Sequence, residues 1–191
     1  MNAPSPLSQL QVDPAATSAQ QQRAQQARVL DALRPLLPAH ALLYQSEDTT
    51  PFECDGLTAY RERPLLVALP ETLDQVQAVL RACHRLQVPV VARGAGTGLS
   101  GGAMPHRMGV TLSMAKFNRI LSIDAYSRPA VVECGVRNLA ISEAAAPLGL
   151  YYAPDPSSQI ACTIGGNVAE NSGGVHCLKY GLTLHLSLIH I

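Results

Sequence analysis

Apolar residues in this chain recur with two different periods, and the switches between them mark its elements. Val29, Leu30, Leu33, Leu36 and Leu37 stand at helical spacing in the Gln- and Ala-rich stretch Ser18 to Leu37, which Pro38 closes. That stripe predicts a packing helix, and a partner-docking helix has the same pattern. Ahead of it, residues 1–17 are rich in Pro, Ser and Ala, a composition expected to stay disordered. Residues 41–60 carry the breakers Pro51, Asp55 and Gly56 and read as loop. Leu65-Leu66-Val67-Ala68-Leu69 is an unbroken apolar run ended by Pro70, as a buried strand requires. Thr72 and Gln75 then form a capping box ahead of a helical face of Leu73, Val76, Val79, Leu80 and Cys83, running to about Gln87. Val88 to Ala92 and Val110 to Met114 read as two further strands. Strand, helix and strand at this spacing predict a βαβ unit with a right-handed crossover.

The second half reads differently. Ile120 to Asp124 and Ala130 to Cys134 flank Ala125-Tyr126-Ser127-Arg128-Pro129, a hairpin pattern. Asn138 or its neighbours cap a helix through Leu139, Ile141, Ala144, Ala145 and Leu148, with Gly149 as its C′ residue. Leu150 to Ala153 reads as a short strand leading into Pro154-Asp155-Pro156-Ser157-Ser158. The fold class expected is α+β: a tail and helix over 1–43, a βαβ lobe over 44–117 and a second, mixed-sheet lobe over 118–185.

Two glycine-rich stretches interrupt this pattern. Arg93-Gly94-Ala95-Gly96-Thr97-Gly98-Leu99-Ser100-Gly101-Gly102 holds five glycines in ten residues and follows directly on a predicted strand. Such a run can turn successive N–H groups to one side as an anion-binding nest. Gly96, Gly98 and Gly101 match the dinucleotide fingerprint literally, but Pro105 and Gly109 oppose the helix that fingerprint needs, and no acidic residue ends the next strand. No Gly-Lys-Ser/Thr follows, which excludes a P-loop. The second stretch is Cys162-Thr163-Ile164-Gly165-Gly166-Asn167-Val168-Ala169-Glu170-Asn171-Ser172-Gly173-Gly174. Its small residues permit close approach of a ligand, and Thr163, Asn167, Asn171 and Ser172 supply hydrogen-bonding groups. Each stretch alone fits a turn. The pair, each expected to be reached from a strand, points to one ligand shared between them.

Composition narrows the class. Formal charge is zero and there is no basic stripe, against nucleic-acid binding. No apolar run approaches the roughly 20 residues of a membrane span, and the N-terminus lacks the pattern of a signal peptide. The five cysteines are scattered without a C-x-x-C, as in reduced proteins, and the six histidines form no ligand pair. No metal site is expected.

The two stretches, with Tyr152 to Ser158, resemble the FAD-binding domain of the vanillyl-alcohol oxidase and p-cresol methylhydroxylase superfamily over about Tyr44 to His185. Within that superfamily they are most similar to 2-hydroxy-acid dehydrogenases of the glycolate oxidase, D-lactate and D-2-hydroxyglutarate types. The resemblance implies that Arg93, Gly94, Ala95, Gly96, Thr97, Gly98, Leu99, Ser100 and Gly101 wrap the FAD pyrophosphate. It places Pro154, Asp155, Ser157, Ser158, Thr163, Gly165, Gly166, Asn167, Asn171, Gly173 and Gly174 along the rest of the cofactor. The loop holds no His, so non-covalent FAD is implied. The family's chemistry is hydride transfer from the α-carbon of a 2-hydroxy acid to the flavin. Its base and substrate clamp belong to a cap domain and C-terminal segment, so no catalytic residue is named here; Arg61, Arg63, His106 and His176 remain unassigned. The resemblance also implies companion subunits, one of them an iron–sulfur protein, and a cytoplasmic site that is peripheral to the inner membrane at most. Residues 186–191, Leu-Ser-Leu-Ile-His-Ile, depart from the family's continuation and read as a non-native tail on a truncated domain. The alternatives left open are another 2-hydroxy acid on the same fold and a non-catalytic nucleotide-binding module.

Overall fold

The structure, a computed structural model, describes residues 14–186. The first helix, α1 (Pro14–Leu33), begins within the stretch expected to be disordered. Pro is favoured in the first turn of a helix, and the Ala- and Gln-rich run behind it sustains the helix. Residues 1–13 lie outside the described region. The stripe read from the sequence is the buried face: Val29, Leu30, Leu33 and Leu37 are all within the core. That burial answers the choice left open for this helix in favour of packing. Gln26 adds a polar tie, its Nε2 donating to the carbonyls of Tyr44 (3.1 Å) and Leu65 (2.6 Å).

Residues 41–60 are not plain loop. They hold the two-residue strand β1 (Leu42–Leu43), the single turn α2 (Ser46–Thr49) and a 3-10 turn at Thr50–Phe52. These elements are too short to show a period, and Leu42 gains its burial only from the sheet it joins. Next come β2 (Leu66–Ala68), α3 (Leu73–Leu86), β3 (Val90–Arg93) and β4 (Val110–Ser113). The capping box forms as expected, with Thr72 Oγ1 accepting from Gln75 N at 3.2 Å and Gln75 Oε1 accepting from Thr72 N at 3.3 Å. The sheet order is β1-β2-β4-β3, with β1 antiparallel to β2 and the other pairs parallel. The βαβ unit therefore leaves a gap between its strands, and β4 fills it. All of β2 and β4 is buried, which accounts for the unbroken apolar run at β2, while β4 also buries the polar Thr111 and Ser113 and β3 is an edge strand.

In the second half, β5 (Ile120–Ile123) and β6 (Ala130–Val132) pair as the antiparallel hairpin read from the sequence. The mixed sheet is thus the first one, not the second. A tight turn can be read locally, whereas β1 pairs with β2 only through the fold. Helix α4 (Asn138–Ala145) follows, with Arg137 at its N-cap position but no side-chain capping bond, while the Asn138 side chain is buried and donates to Pro154 O at 3.0 Å. A 3-10 turn continues it to Gly149, which takes φ +70° as the sequence required. Leu150 to Ala153 forms no strand. Tyr152 N donates to Ser142 Oγ at 3.0 Å, so a hydroxyl on α4 takes the place of a neighbouring strand. Helix α5 (Ile164–Glu170) and the single turn α6 (Cys177–Tyr180) complete the chain.

Candidate functional site

The first glycine-rich stretch leaves the end of β3 as a loop, and no helix opens after it, as Pro105 and Gly109 required. The second stretch is mainly helix, and it is not reached from a strand. Thr163 caps α5 by accepting from Gly166 N at 3.4 Å, and Asn171 ends it in the left-handed conformation at φ 51°. Thr163 also makes a single β-bridge with Arg137, and Ile164 N and Gly165 N donate to Val136 O and Cys134 O, both at 2.8 Å. These bonds fasten the start of α5 to the segment that joins the hairpin to α4.

The two stretches touch where Gly94 meets Thr163. A Cβ on Gly94 would collide with Thr163 Oγ1, so only glycine permits this approach. Farther along, a Cβ on Gly102 would lie 2.7 Å from Glu170 Oε1 and one on Gly98 3.0 Å from it. Between the stretches lies a cleft of about 480 Å³. Its first wall is Gly94 to Ser100, with Ala92, Gly102 and Ala103. Its second includes Thr163, Gly166, Asn167 and Glu170, with Ser157 and Ser158 at one side. Asn167 is 2% exposed and its Nδ2 has no hydrogen-bond partner, an unmet donor in the cleft wall.

Other candidates stand back from this cleft. Arg93 is buried beneath the loop, where burial pulls its guanidinium below the ordinary value while Cys54 and Asp55 oppose that shift. Gly101 takes φ +77° at the far turn of the loop. Gly165 packs on Cys134 and faces a larger apolar cavity of about 780 Å³ behind the hairpin. Pro154 holds Asn138 through its carbonyl. Asn171 accepts from Leu184 N at 3.0 Å. Gly173 packs on Leu182, while Gly174 fits against Asp155, where a Cβ would overlap the Asp155 carbonyl. Asp155 receives His176 Nδ1 at 2.6 Å. Burial pushes the Asp155 carboxyl up, but the bonds from His176 outweigh it and hold the group below its ordinary value.

The unassigned residues have local partners. Arg61 Nη1 lies 2.5 Å from Glu53 Oε1, Arg63 Nε lies 3.6 Å from Glu53 Oε2, and His106 Nδ1 accepts from Met108 N at 3.1 Å. Ala92, Ala103, Cys162, Ala169 and Glu170 line the cleft without having been singled out as site residues by sequence reasoning, and the charged one among them is Glu170. The signal was present: it follows Gly166 by four and Asn167 by three, on the same face once the segment is helical.

Comparison with known proteins gives the family of the chain. Residues 64–187 match the family described as FAD binding domain. The chain is 66% identical over 157 residues to the glycolate oxidase subunit GlcD of Escherichia coli K12, covering 82% of this chain and 32% of that protein. It is 36% identical over 152 residues to D-2-hydroxyglutarate dehydrogenase of Xanthomonas citri pv. viticola, covering 80% and 32%. Among solved structures, p-cresol methylhydroxylase with substrate bound superposes with a TM-score of 0.69 at 21% identity, covering 78% of this chain and 30% of the other. That last likeness speaks for the fold alone. The chain spans about a third of the length of these curated relatives.

Proposed function

The chain belongs to the family of FAD binding domains, and from that premise we propose that it is the FAD-binding part of a 2-hydroxy-acid dehydrogenase that oxidises glycolate to the 2-oxo acid. The observation that carries the reading is the meeting of two glycine-rich stretches around one cleft. A phosphate-only module would need the loop but would have no use for a second wall with an unmet amide donor.

The residues fit the cofactor. The loop Gly94 to Gly101 offers backbone N–H groups, with glycine at 94, 96, 98 and 101 leaving those positions free of side chains, an arrangement that suits a pyrophosphate. Asn167 Nδ2 supplies a donor to a polar edge, and Ser157, Ser158 and Thr163 bring hydroxyls to the same wall. When bound, FAD supplies the acceptor for a hydride equivalent from the substrate α-carbon. The chain's own residues hold and orient it: the loop at the phosphates, and the 154–158 segment and α5 along the remainder. Arg93, Gly165, Asn171, Gly173 and Gly174 act on the cofactor, in this reading, through the segments they shape. No His lies in the Arg93 to Gly102 loop, consistent with a non-covalent cofactor.

The substrate preference rests on the likeness to glycolate oxidase subunit GlcD; D-lactate and D-2-hydroxyglutarate are the alternatives on the same fold. The printed name of that relative, a subunit, supports companion subunits for this chain; an iron–sulfur companion and a cytoplasmic place, peripheral to the inner membrane at most, complete the proposal on the resemblance read from the sequence. Among the described residues, no helix is long and apolar enough to cross a membrane. Residues 44–117 and 118–185 form, in this reading, the two lobes between which the cofactor lies, with 186–191 following as a tail into which the family match extends as far as residue 187. Of that tail, 187–191 lie outside the described residues. The test is an absorbance spectrum after incubation with FAD and removal of free cofactor. Flavin bands should persist, and Gly96→Asp should abolish them by placing a charged side chain in the loop. A folded protein that stays colourless would overturn the reading.

A further inference from the structure

Ala92 and Gly94 line the cleft, whereas Arg93 between them projects the other way, as alternation along a strand requires. Its backbone is fixed by the sheet: its carbonyl accepts from Met114 N at 2.9 Å. Its guanidinium lies behind the loop, and the residue as a whole is only 8% exposed. There Nη1 donates to Cys54 O at 2.8 Å and to Ala103 O at 3.3 Å, and the planar group stacks 5.5 Å from the Phe52 ring centroid. Ala103 is where the loop ends, so a single side chain ties its two ends together. The same group fills the space beside Gly96. A Cβ there would overlap the guanidinium, and Gly96 itself stands at φ +71°. The 52–56 segment closes the back of the loop, with a Cβ on Gly56 coming within 2.7 Å of the carbonyls of Thr97 and Gly98.

We propose that Arg93 is a positioning residue of the cleft: it fixes the shape of the glycine loop from behind, with Phe52 as its support, and does not touch the cofactor phosphates. The inference rests on the reading of the cleft as an FAD site, which concerns what the loop binds, while the brace concerns what holds it. A loop rich in glycine loses more backbone entropy on ordering than any other. Holding it in shape before the ligand arrives removes that cost from binding. An arginine suits the task because one nitrogen of its guanidinium donates to both carbonyls while the planar group lies over an aromatic ring. A lysine ammonium has no planar face to lay on that ring.

Amide hydrogen exchange of the full chain without FAD, beside FAD titration by flavin fluorescence, tests this for Arg93→Lys and Phe52→Leu. In Arg93→Lys the amide of Met104, which closes the loop by donating to Gly101 O at 3.1 Å, should exchange roughly ten- to hundredfold faster, the effect of a lost charge-assisted hydrogen bond. The amides of β2 and β4 should keep their protection, and FAD affinity should fall. Phe52→Leu should move both readouts the same way by less, and the double variant should lose less than the sum of the singles. Unchanged loop exchange with lost affinity would mean that Arg93 acts on the phosphate directly, and would overturn the proposal. If Arg93→Lys loosens the whole sheet, Phe52→Leu decides: loop exchange raised alone supports the brace, and unaltered exchange overturns it. A wild-type chain that binds no FAD refutes the functional reading, while loop exchange still decides the brace.

Discussion

The two walls of the cleft are both rich in glycine, yet they are built in opposite ways. The first is an irregular loop backed by a mixed sheet, in and beside whose buried strand β2 the residues Leu65, Leu66, Val67 and Ala68 are 0–1% exposed. The second is a capped helix, seven residues long, fastened at its start to the segment that follows a two-stranded hairpin. That hairpin presents Leu121 and Val131 more than half exposed and leaves an apolar cavity of about 780 Å³ behind it. Glycine serves different ends in each. In the loop, Gly96 is required both for its positive φ and for the space Arg93 takes, whereas Gly94, with no positive φ, is required for space alone. In α5, Gly165 lets the helix start lie against Cys134. The difference teaches that a glycine count marks a site but does not say which backbone forms it.

Breaking the comparison at its base gives the largest effect. Leu66→Ala should destabilise the protein by about 2–5 kcal/mol, a buried aliphatic deletion, whereas Val131→Thr on the hairpin should move stability by less than about 0.5 kcal/mol. Denaturant unfolding of the two variants checks both figures. At the contact between the walls, Gly94→Ala should cost about 1–3 kcal/mol through overpacking against Thr163. Adding Thr163→Ala should recover part of that loss, a sign reversal that denaturant midpoints would reveal. In the wild-type background, Thr163→Ala should cost about 1 kcal/mol as a lost N-cap. Equal costs of Thr163→Ala in both backgrounds would show that the walls do not touch there.

The smallest expected effect is the pH response of the second wall. The Asp155 carboxyl is held below its ordinary value because the His176 bonds outweigh its burial. A depressed folded value means that this contribution is present above the ordinary carboxylate range and is lost as pH falls through the lowered value. The stability of Asp155→Asn, measured by thermal unfolding from pH 6 down to pH 3, should therefore fall less steeply than wild type. A labelling experiment extends the contrast. Burial pushes the Cys83 thiol in the core up to about 11, so it should resist alkylation at pH 8 while the half-buried Cys54 and Cys177 react.

Legibility in the sequence followed how local each feature is. The Leu65–Leu69 run, the Thr72 capping box, the 125–129 turn and Gly149 at a helix end are encoded within a few residues, and each appears where expected. The insertion of β4 between β2 and β3 and the pairing of β1 are tertiary, and no period in two residues announces β1. The strand expected at Leu150 to Ala153 failed for a related reason: its backbone partner is the Ser142 hydroxyl, invisible to a pattern of apolar positions. In the site, the residue types of both walls were legible, but the helical form of the second was hidden by Gly165 and Gly166, poor helix formers whose place is secured by Thr163 and Cys134. That helical form is what brings Glu170 onto the cleft. The inward turn of Arg93 was equally hidden, because an arginine beside a phosphate-type loop reads as an anion ligand until its partners are known.

The central claim is that both walls hold one cofactor, and Asn167→Leu tests it most directly. Its unmet, buried Nδ2 contributes nothing to the folded state without ligand, so exchanging it for an apolar group of similar size should leave unfolding free energy unchanged or raised. The same exchange should weaken FAD binding by roughly tenfold or more, since it removes a donor from the second wall. Stability retained with affinity lost is the expected result. Stability lost with FAD affinity intact would show that the second wall is scaffold only, and the shared cleft would be contradicted.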